Sequence, residues 1–346
     1  MPQPAPHPPS PPVLLNYVYC DRPDSFANAV HFLRSAPYLI LDCEGKDLGR
    51  SGGSVTLICV GTPFAEYIFL FDVLSPYITR NDVQGLLDLF QNKGLLKVVW
   101  DGRMDFLEIW STYGVALRGV LDLQIAEVMS RYQVRGEEDD GRLLRLQQSL
   151  RIPPSKMWHD RYDYLHAVVG LQRCWKECGY AEDCGKDPEI MHMHKALGSS
   201  MWAFRPLTEQ LLQYAARDIL LIGVLYPHFI RSGWIPMDPP NFSSLLTQCQ
   251  RYVSAHVEQG KSTETDIFKP SCIIPLDVLT EPSGPKYLCF ACNRALSETA
   301  FETKKDLNSA AYKSVTKGFM RSTRCRLCFA LACKKNAKVD QAWVST

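Results

Sequence analysis

Short apolar runs bounded by Gly, Pro and charge alternate along this chain with stretches whose apolar residues recur every three or four positions. Tyr38-Leu39-Ile40-Leu41, between Pro37 and Gly45, reads as a buried strand that either continues through Asp42-Cys43-Glu44 or, as this stretch alone slightly favours, ends at Leu41 with both acids in a solvated turn. Ser54–Val60 and Glu66–Phe71 read as two more strands joined by a short loop with Gly61 and Pro63, which predicts an antiparallel meander. Leu95–Trp100 is a fourth strand. Helical spacing appears in Ala27–Leu33, and in Asp82–Asn92 through Val83, Leu86, Leu87 and Phe90, with Gly94 ending the helix. A further helix follows Trp100, with Asp105 in its first turns and Met104, Leu107 and Ile109 apolar. Three strands, a helix, a strand and a helix predict an α/β protein with a mixed sheet flanked by helices.

Beyond this frame, Asp122 is expected to start a helix whose apolar residues are Leu123, Ala126, Val128 and Met129. Glu137–Asp140 reads as a loop, and Leu143, Leu146 and Leu150 follow at helical spacing. Residues 152–195 carry no clear period and are treated as an insertion. Thr208 precedes a long helix from Glu209 to about Tyr226, on which Tyr214 and Asp218 lie four residues apart and share a face. Residues 237–285 read as a linker, with Pro239-Pro240 and Pro282–Pro285 near its ends and a helix expected around Leu245–His256.

Composition changes the picture in two places. The formal net charge is only +1. From Lys286 onward, however, 12 basic residues face 4 acids, so this tail carries +8 and the remainder −7. A basic tail on an acidic body points to a polyanionic partner, a nucleic acid or an acidic protein. The start of the chain, residues 1–16, is expected to be a disordered Pro-rich arm, since Met1–Pro12 holds seven prolines and no Lys or Arg. That composition is not a secretory signal, and no apolar run approaches the roughly 18 residues of a membrane span. With 13 cysteines and no such signal, the thiols are expected to be reduced and the protein intracellular, in nucleus or cytoplasm.

Two sets of side chains carry chemistry. If the strand continues through Glu44, Asp42 and Glu44 project from one face of it, because side chains alternate with period two. Two like charges at the end of a buried strand need a positive counterpart, and a hard divalent cation suits carboxylate oxygens. In the tail, Cys289-Phe290-Ala291-Cys292 and Cys325-Arg326-Leu327-Cys328 form two Cys-x-x-Cys pairs, the signature of a structural four-thiolate zinc site. A tail this poor in large apolar residues needs such a staple to fold, so residues 286–346 are expected to form a small basic zinc-binding domain. Cys333 is read as a spare thiol, with its substitution for Cys328 as the alternative. Cys174, Cys178, Cys184, His192 and His194 are spaced too irregularly to predict a second zinc site and are read as incidental.

Taken together, Asp42-Cys43-Glu44, Lys97–Asp105 and Tyr214-Ala215-Ala216-Arg217-Asp218 resemble the three motifs of the DEDDy group of 3′–5′ exonucleases. This is the RNase D-like branch of the RNase H-like superfamily. Trp202–Leu207 resembles the segment entering that family's last helix, and Asp122-Leu123-Gln124 with Ala126 its intervening Asp-helix. The extended first motif, Asp42–Arg50, is most similar to eukaryotic exonuclease-domain proteins tied to small-RNA pathways. The resemblance covers about residues 17–231, within a domain expected over 17–236, with a zinc-ribbon-like module after it. It departs at Trp100, where many relatives have a small or polar residue, and in the long insertion.

The resemblance implies an RNase H-like mixed five-stranded sheet and a two-metal 3′–5′ exonuclease acting on single-stranded nucleic acid, RNA ahead of DNA. Asp42, Glu44, Asp105 and Asp218 would hold two Mg²⁺ or Mn²⁺ ions, and Tyr214 would orient or deprotonate the attacking water. Asp101 and Asp122 are read as surface or capping carboxylates. Two alternatives remain open from sequence. One is a catalytically silent nucleic-acid-binding or scaffold protein that recruits partners through the zinc tail. The other is a structure-specific endonuclease on the same fold.

Overall fold

A computed structural model describes residues 14–153, 159–180, 198–261, 272–305, 319–335, 337 and 342–345. At its centre is a mixed sheet. In chain order its strands are β1 (Val18–Cys20), β2 (Tyr38–Lys46), β3 (Ser54–Gly61), β4 (Ile68–Asp72), β5 (Leu96–Val99) and β6 (Val120–Asp122). Their spatial order is β1-β4-β3-β2-β5-β6. β2, β3 and β4 form the expected antiparallel meander. β5 pairs parallel to β2, β6 parallel to β5, and β1 parallel to β4.

The sheet therefore has six strands, not five. β1 and β6 span three residues each, too short to leave a periodic mark, and parallel pairing with partners far along the chain makes them strands. The N-terminal segment is also held earlier than expected. Within the anticipated arm, the Leu15 N–H donates to the Gln213 side chain at 2.8 Å, and Gln213 donates back to the Leu15 carbonyl at 3.0 Å.

Helices cover both faces. α1 (Pro23–Leu33), α2 (Arg80–Gln91) and α3 (Arg103–Tyr113) pack on one side, where Leu39, Leu41 and Cys43 join Leu86, Phe90 and Phe106 in a core. α4 (Leu123–Gln133) and α7 (Glu209–Arg231) cover the other, where Ile40 and Val98 meet Ala215, Ile219 and Ile222. The split follows the alternation of β2: odd residues face α1–α3 and even residues face α7. α5 (Asp139–Leu150) and α6 (Leu171–Glu177) lie between α4 and α7 in sequence, α6 falling within the expected insertion. Among the proposed incidental cysteines and histidines, Cys184, His192 and His194 lie outside the described residues.

α7 runs to Arg231, through Pro227, one turn beyond the expected end. α8 (Pro239–Val253) begins six residues before the helix read from sequence. It packs back on the sheet: Leu245, Cys249 and Tyr252 enter the α7-side core and Val253 the opposite one. Trp100 belongs to the same core, 6.5 Å from the Phe229 ring, so the departure from a small residue fills space between the sheet and α7.

The C-terminal module is built from a two-stranded hairpin, β7 (Tyr287–Leu288) with β8 (Ala295–Leu296), and a three-stranded antiparallel sheet of β9 (Phe301–Lys305), β10 (Phe319–Cys325) and β11 (Trp343–Ser345). α9 (Arg326–Lys334) follows β10 directly. Phe301, Leu327 and Leu331 share one core with Leu143, Leu146 and Leu150 of α5 and with Tyr162 and Leu165. The module is thus packed onto α5 by apolar burial. Among the described residues, no helix is long and apolar enough to cross a membrane.

Candidate active site and metal centres

The even-numbered residues of β2 present Asp42 and Glu44 toward α7, one residue pair beyond Ile40. β2 and β3 hold register through Asp42 opposite Cys59 and Glu44 opposite Leu57, and the register shifts at Gly45. A β-carbon on Gly45 would lie 2.2 Å from the Ser54 carbonyl oxygen, so the strand can bend there only without a side chain. On α7, Thr208 caps the N-terminus through a 3.4 Å bond from the Leu211 N–H. The carboxylate oxygens of Asp42, Glu44 and Asp218 come within 4.8 Å of one another.

Asp105, in the first turn of α3, adds a fourth carboxylate beside this group. It is almost fully buried, and burial raises its pKa well above the usual range, with the Asp42 charge the next largest cause. Asp42 is pushed up to about 8 by desolvation and then by Asp218. Crowded carboxylates of this kind hold protons unless a cation compensates them, and an all-oxygen donor set of four fits Mg²⁺ or Mn²⁺ better than a soft metal.

Tyr214 stands one turn before Asp218 on the same face, its ring centroid 6.2 Å from that of buried Trp202. Burial, followed by the charges of Asp218, Glu44 and Asp42, raises its pKa far above the ordinary phenol value. Asp42, Glu44, Asp218 and Tyr214 thus come together at one end of β2, while Asp105 stands near Asp42 but outside the 4.8 Å grouping of the other three carboxylates.

Asp122 does not join them. Its carboxylate caps α4 through Gln124 N at 2.9 Å and accepts from the backbone N–H groups of Asp101 at 3.1 Å and Gly102 at 2.9 Å. It thereby fixes the turn that launches α3 with Asp105. In that turn Asp101 has a positive φ of 53° and clasps Arg103 in two bonds of 2.6 and 2.8 Å. The Arg103 guanidinium lies 4.6 Å from the Tyr252 ring of α8, whose hydroxyl donates to Gln124 at 2.5 Å.

Other supports of the site carry no sequence motif of their own. The Asp47–Gly53 loop after β2 is held by Ser199, whose hydroxyl accepts from the Asp47 N–H at 2.9 Å and donates to its carboxylate at 2.7 Å. Before α7, Arg205 pairs with buried Asp72 through 2.6 and 2.7 Å bonds and donates to the Thr56 carbonyl at 3.0 Å. This joins the entry to α7 with β3 and β4. The residues concerned are ordinary in type and far apart in sequence, so only the pairing exposes their role.

In the module, the sulfurs of Cys289, Cys292, Cys325 and Cys328 form a second cluster, again within 4.8 Å of one another. The first pair sits in the hairpin turn between β7 and β8, where Cys289 bonds Arg294 and Asn293 adopts a positive φ of 56°. The second pair sits at the start of α9, with the Cys325 N–H donating to the Cys289 sulfur at 3.2 Å and the Cys328 N–H to the Cys325 sulfur at 3.4 Å. Hydrogen bonding with Cys292, Cys325 and Cys328 holds the Cys289 thiol far below its ordinary range. Four converging sulfurs with backbone N–H donors match the donor set of a structural zinc centre. Cys333 lies outside the cluster.

The fold is shared with solved structures. Trypanosoma brucei RNase D is 21% identical, with a TM-score of 0.56, over 74% of this chain and 77% of that one. The complex of the same protein with RNA U12 is 22% identical, with a TM-score of 0.54, over 81% and 84%. Escherichia coli RNase D is 18% identical with a TM-score of 0.43, over 68% of this chain and 51% of that one. No curated protein matches in sequence. A 3′–5′ exonuclease family model matches residues 17–232, which contain the whole carboxylate cluster and Tyr214. With more than half of its length matched, the chain belongs to the 3′–5′ exonuclease family of hydrolases, and it shares its fold with RNase D.

Proposed function

We propose that this protein is a divalent-metal-dependent 3′–5′ exoribonuclease that removes nucleotides from single-stranded RNA by a two-metal reaction. The observation that carries this reading is the convergence of the Asp42, Glu44 and Asp218 carboxylates within 4.8 Å, with Asp105 alongside and Tyr214 one turn from Asp218. A protein that only bound partners would have no use for such mutual repulsion. When bound, two divalent cations supply nucleophile activation and charge neutralisation at the leaving 3′ oxygen. Asp42, Glu44, Asp105 and Asp218 would hold them.

The chain's own part is positioning. β2 holds two ligands rigidly, α3 brings the third and α7 the fourth. Tyr214, one turn from Asp218 on the same face, would orient the attacking water. The preference for RNA is supported by the solved RNase D complex with RNA U12, a protein of the same fold. Cys289, Cys292, Cys325 and Cys328 would hold one structural Zn²⁺, and the +8 tail suits contacts with the phosphate backbone.

The test is a time course on 3′- and 5′-labelled RNA and DNA oligonucleotides with Mg²⁺ or Mn²⁺. Stepwise shortening of RNA from the 3′ end, abolished in a folded Asp42→Asn or Asp218→Asn variant, is expected. Undiminished cleavage by purified Asp218→Asn would overturn the assignment. Binding without cleavage would instead favour the scaffold reading.

A further inference from the structure

Lys261 lies past the end of the family-matched residues 17–232, yet it reaches back to α3, which carries Asp105, and to the loop that follows the strand of Asp42 and Glu44. Its ammonium donates to the Gly53 carbonyl at 2.8 Å and to a Glu108 carboxylate oxygen at 2.6 Å. Gly53 closes the loop that follows Glu44. Glu108 sits on α3, one turn after Asp105 on the same face. Its second carboxylate oxygen accepts from the Gly49 N–H at 3.1 Å, in that same loop.

The electrostatics single out this contact. The Glu108 side chain is fully buried and Lys261 largely so. A buried, uncompensated carboxylate one turn from Asp105 would add a charge to a cluster already crowded with four. Lys261 neutralises it. The loop also admits little adjustment: a β-carbon on Gly53 would lie 2.0 Å from the Asp47 carbonyl oxygen, and Ser199 holds Asp47 from the other side. The loop after Glu44 is therefore fastened on one side to α3 and on the other to the segment leading to Trp202.

We propose that Lys261 is a positioning residue for the metal centre, clasping the Glu44 loop to α3 through Glu108 so that Glu44 and Asp105 keep the spacing two divalent cations require. This rests on the metal-centre reading above. It makes the segment after α8 a working part of the exonuclease domain.

The test measures Mn²⁺ binding to the zinc-loaded full chain by calorimetry, together with RNA cleavage against Mn²⁺ concentration. The variants are Lys261→Met, Lys261→Arg and the double variant Glu108→Gln/Lys261→Met. The loss of a supporting contact around a metal ligand typically weakens affinity by about ten-fold or more. Lys261→Met is expected to weaken Mn²⁺ binding and raise the half-saturating Mn²⁺ concentration by about that factor, with much of the rate recovered at saturating metal. Lys261→Arg, which keeps charge and donors, is expected to restore binding. The double variant leaves no lone buried charge and keeps the protein folded for the measurement should Lys261→Met unfold. It too is expected to bind Mn²⁺ weakly. Wild-type affinity in folded Lys261→Met or in the folded double variant would overturn the proposal. If the wild type bound Mn²⁺ and Lys261→Met weakened it while no RNA was cut, the clasp would stand and the exonuclease reading would fall.

Discussion

The carboxylate of Asp122 accepts a hydrogen bond from the Gly102 N–H at 2.9 Å, tying the end of β6 to the turn that launches α3. The same fully buried carboxylate serves Asp101 and Gln124. Asp122→Ala strands three backbone donors and removes the α4 cap, so a loss of about 2 kcal/mol is expected in urea unfolding. Asp122→Asn, which keeps one oxygen acceptor, should lose less. A change in Asp122→Ala below about 0.5 kcal/mol would mean that water replaces the carboxylate.

The carboxylate cluster gives the metal-free protein a definite pH response. Asp42 ionises near its ordinary value of 3.8 when unfolded but at about 8 when folded. The folded state therefore holds the proton more tightly, and stability falls as pH rises from about 4 to about 8. In chelator, the melting temperature should drop across that range. Mn²⁺ added at pH 8 should raise it again, and Asp42→Asn should flatten the metal-free slope. An unchanged slope in Asp42→Asn would remove Asp42 as its source.

Tyr214→Phe removes only a hydroxyl and keeps the ring beside Trp202. Loss of the water-orienting group is expected to slow cleavage by about 10²-fold at saturating metal, with little change in Mn²⁺ affinity. Equal losses in rate and in Mn²⁺ binding would place Tyr214 in metal binding instead.

Cys289→Ser or Cys325→Ser should abolish zinc retention, measured by metal analysis of the purified chain. Since the module shares one core with α5, the loss is expected to open the α5 region as well as the tail. Limited proteolysis should then cut near residues 135–153 in the variant but not in the wild type. Cleavage confined to the tail would show that α5 is stable without it.

Arg205 and Asp72 form a two-bond ion pair in which the Asp72 side chain is 2% exposed and Arg205 19%. Arg205→Met leaves the carboxylate buried without its cation and should destabilise by about 3 kcal/mol. The double variant Arg205→Met/Asp72→Asn should recover part of that loss. A double variant no more stable than Arg205→Met would show that packing, not charge, dominates there.

Much of this molecule is legible in one dimension. The apolar run into Asp42 and Glu44, the meander after it and the four-residue step from Tyr214 to Asp218 follow from periods of two and 3.6, which depend only on local backbone geometry. The paired Cys-x-x-Cys knuckles are equally local. What tertiary structure decided is whatever rests on pairing between distant segments. Three residues at Val18–Cys20 and three at Val120–Asp122 become strands because β4 and β5 offer them edges. Asp122 caps and anchors because the α3 turn comes within reach of it. Trp100, anomalous in the motif, fills a gap that only the packing of α7 creates. Lys261 carries no motif and lies outside the matched family region. Its bonds to Gly53 and Glu108 form only because α8 folds back across the sheet, burying Leu245, Cys249 and Tyr252.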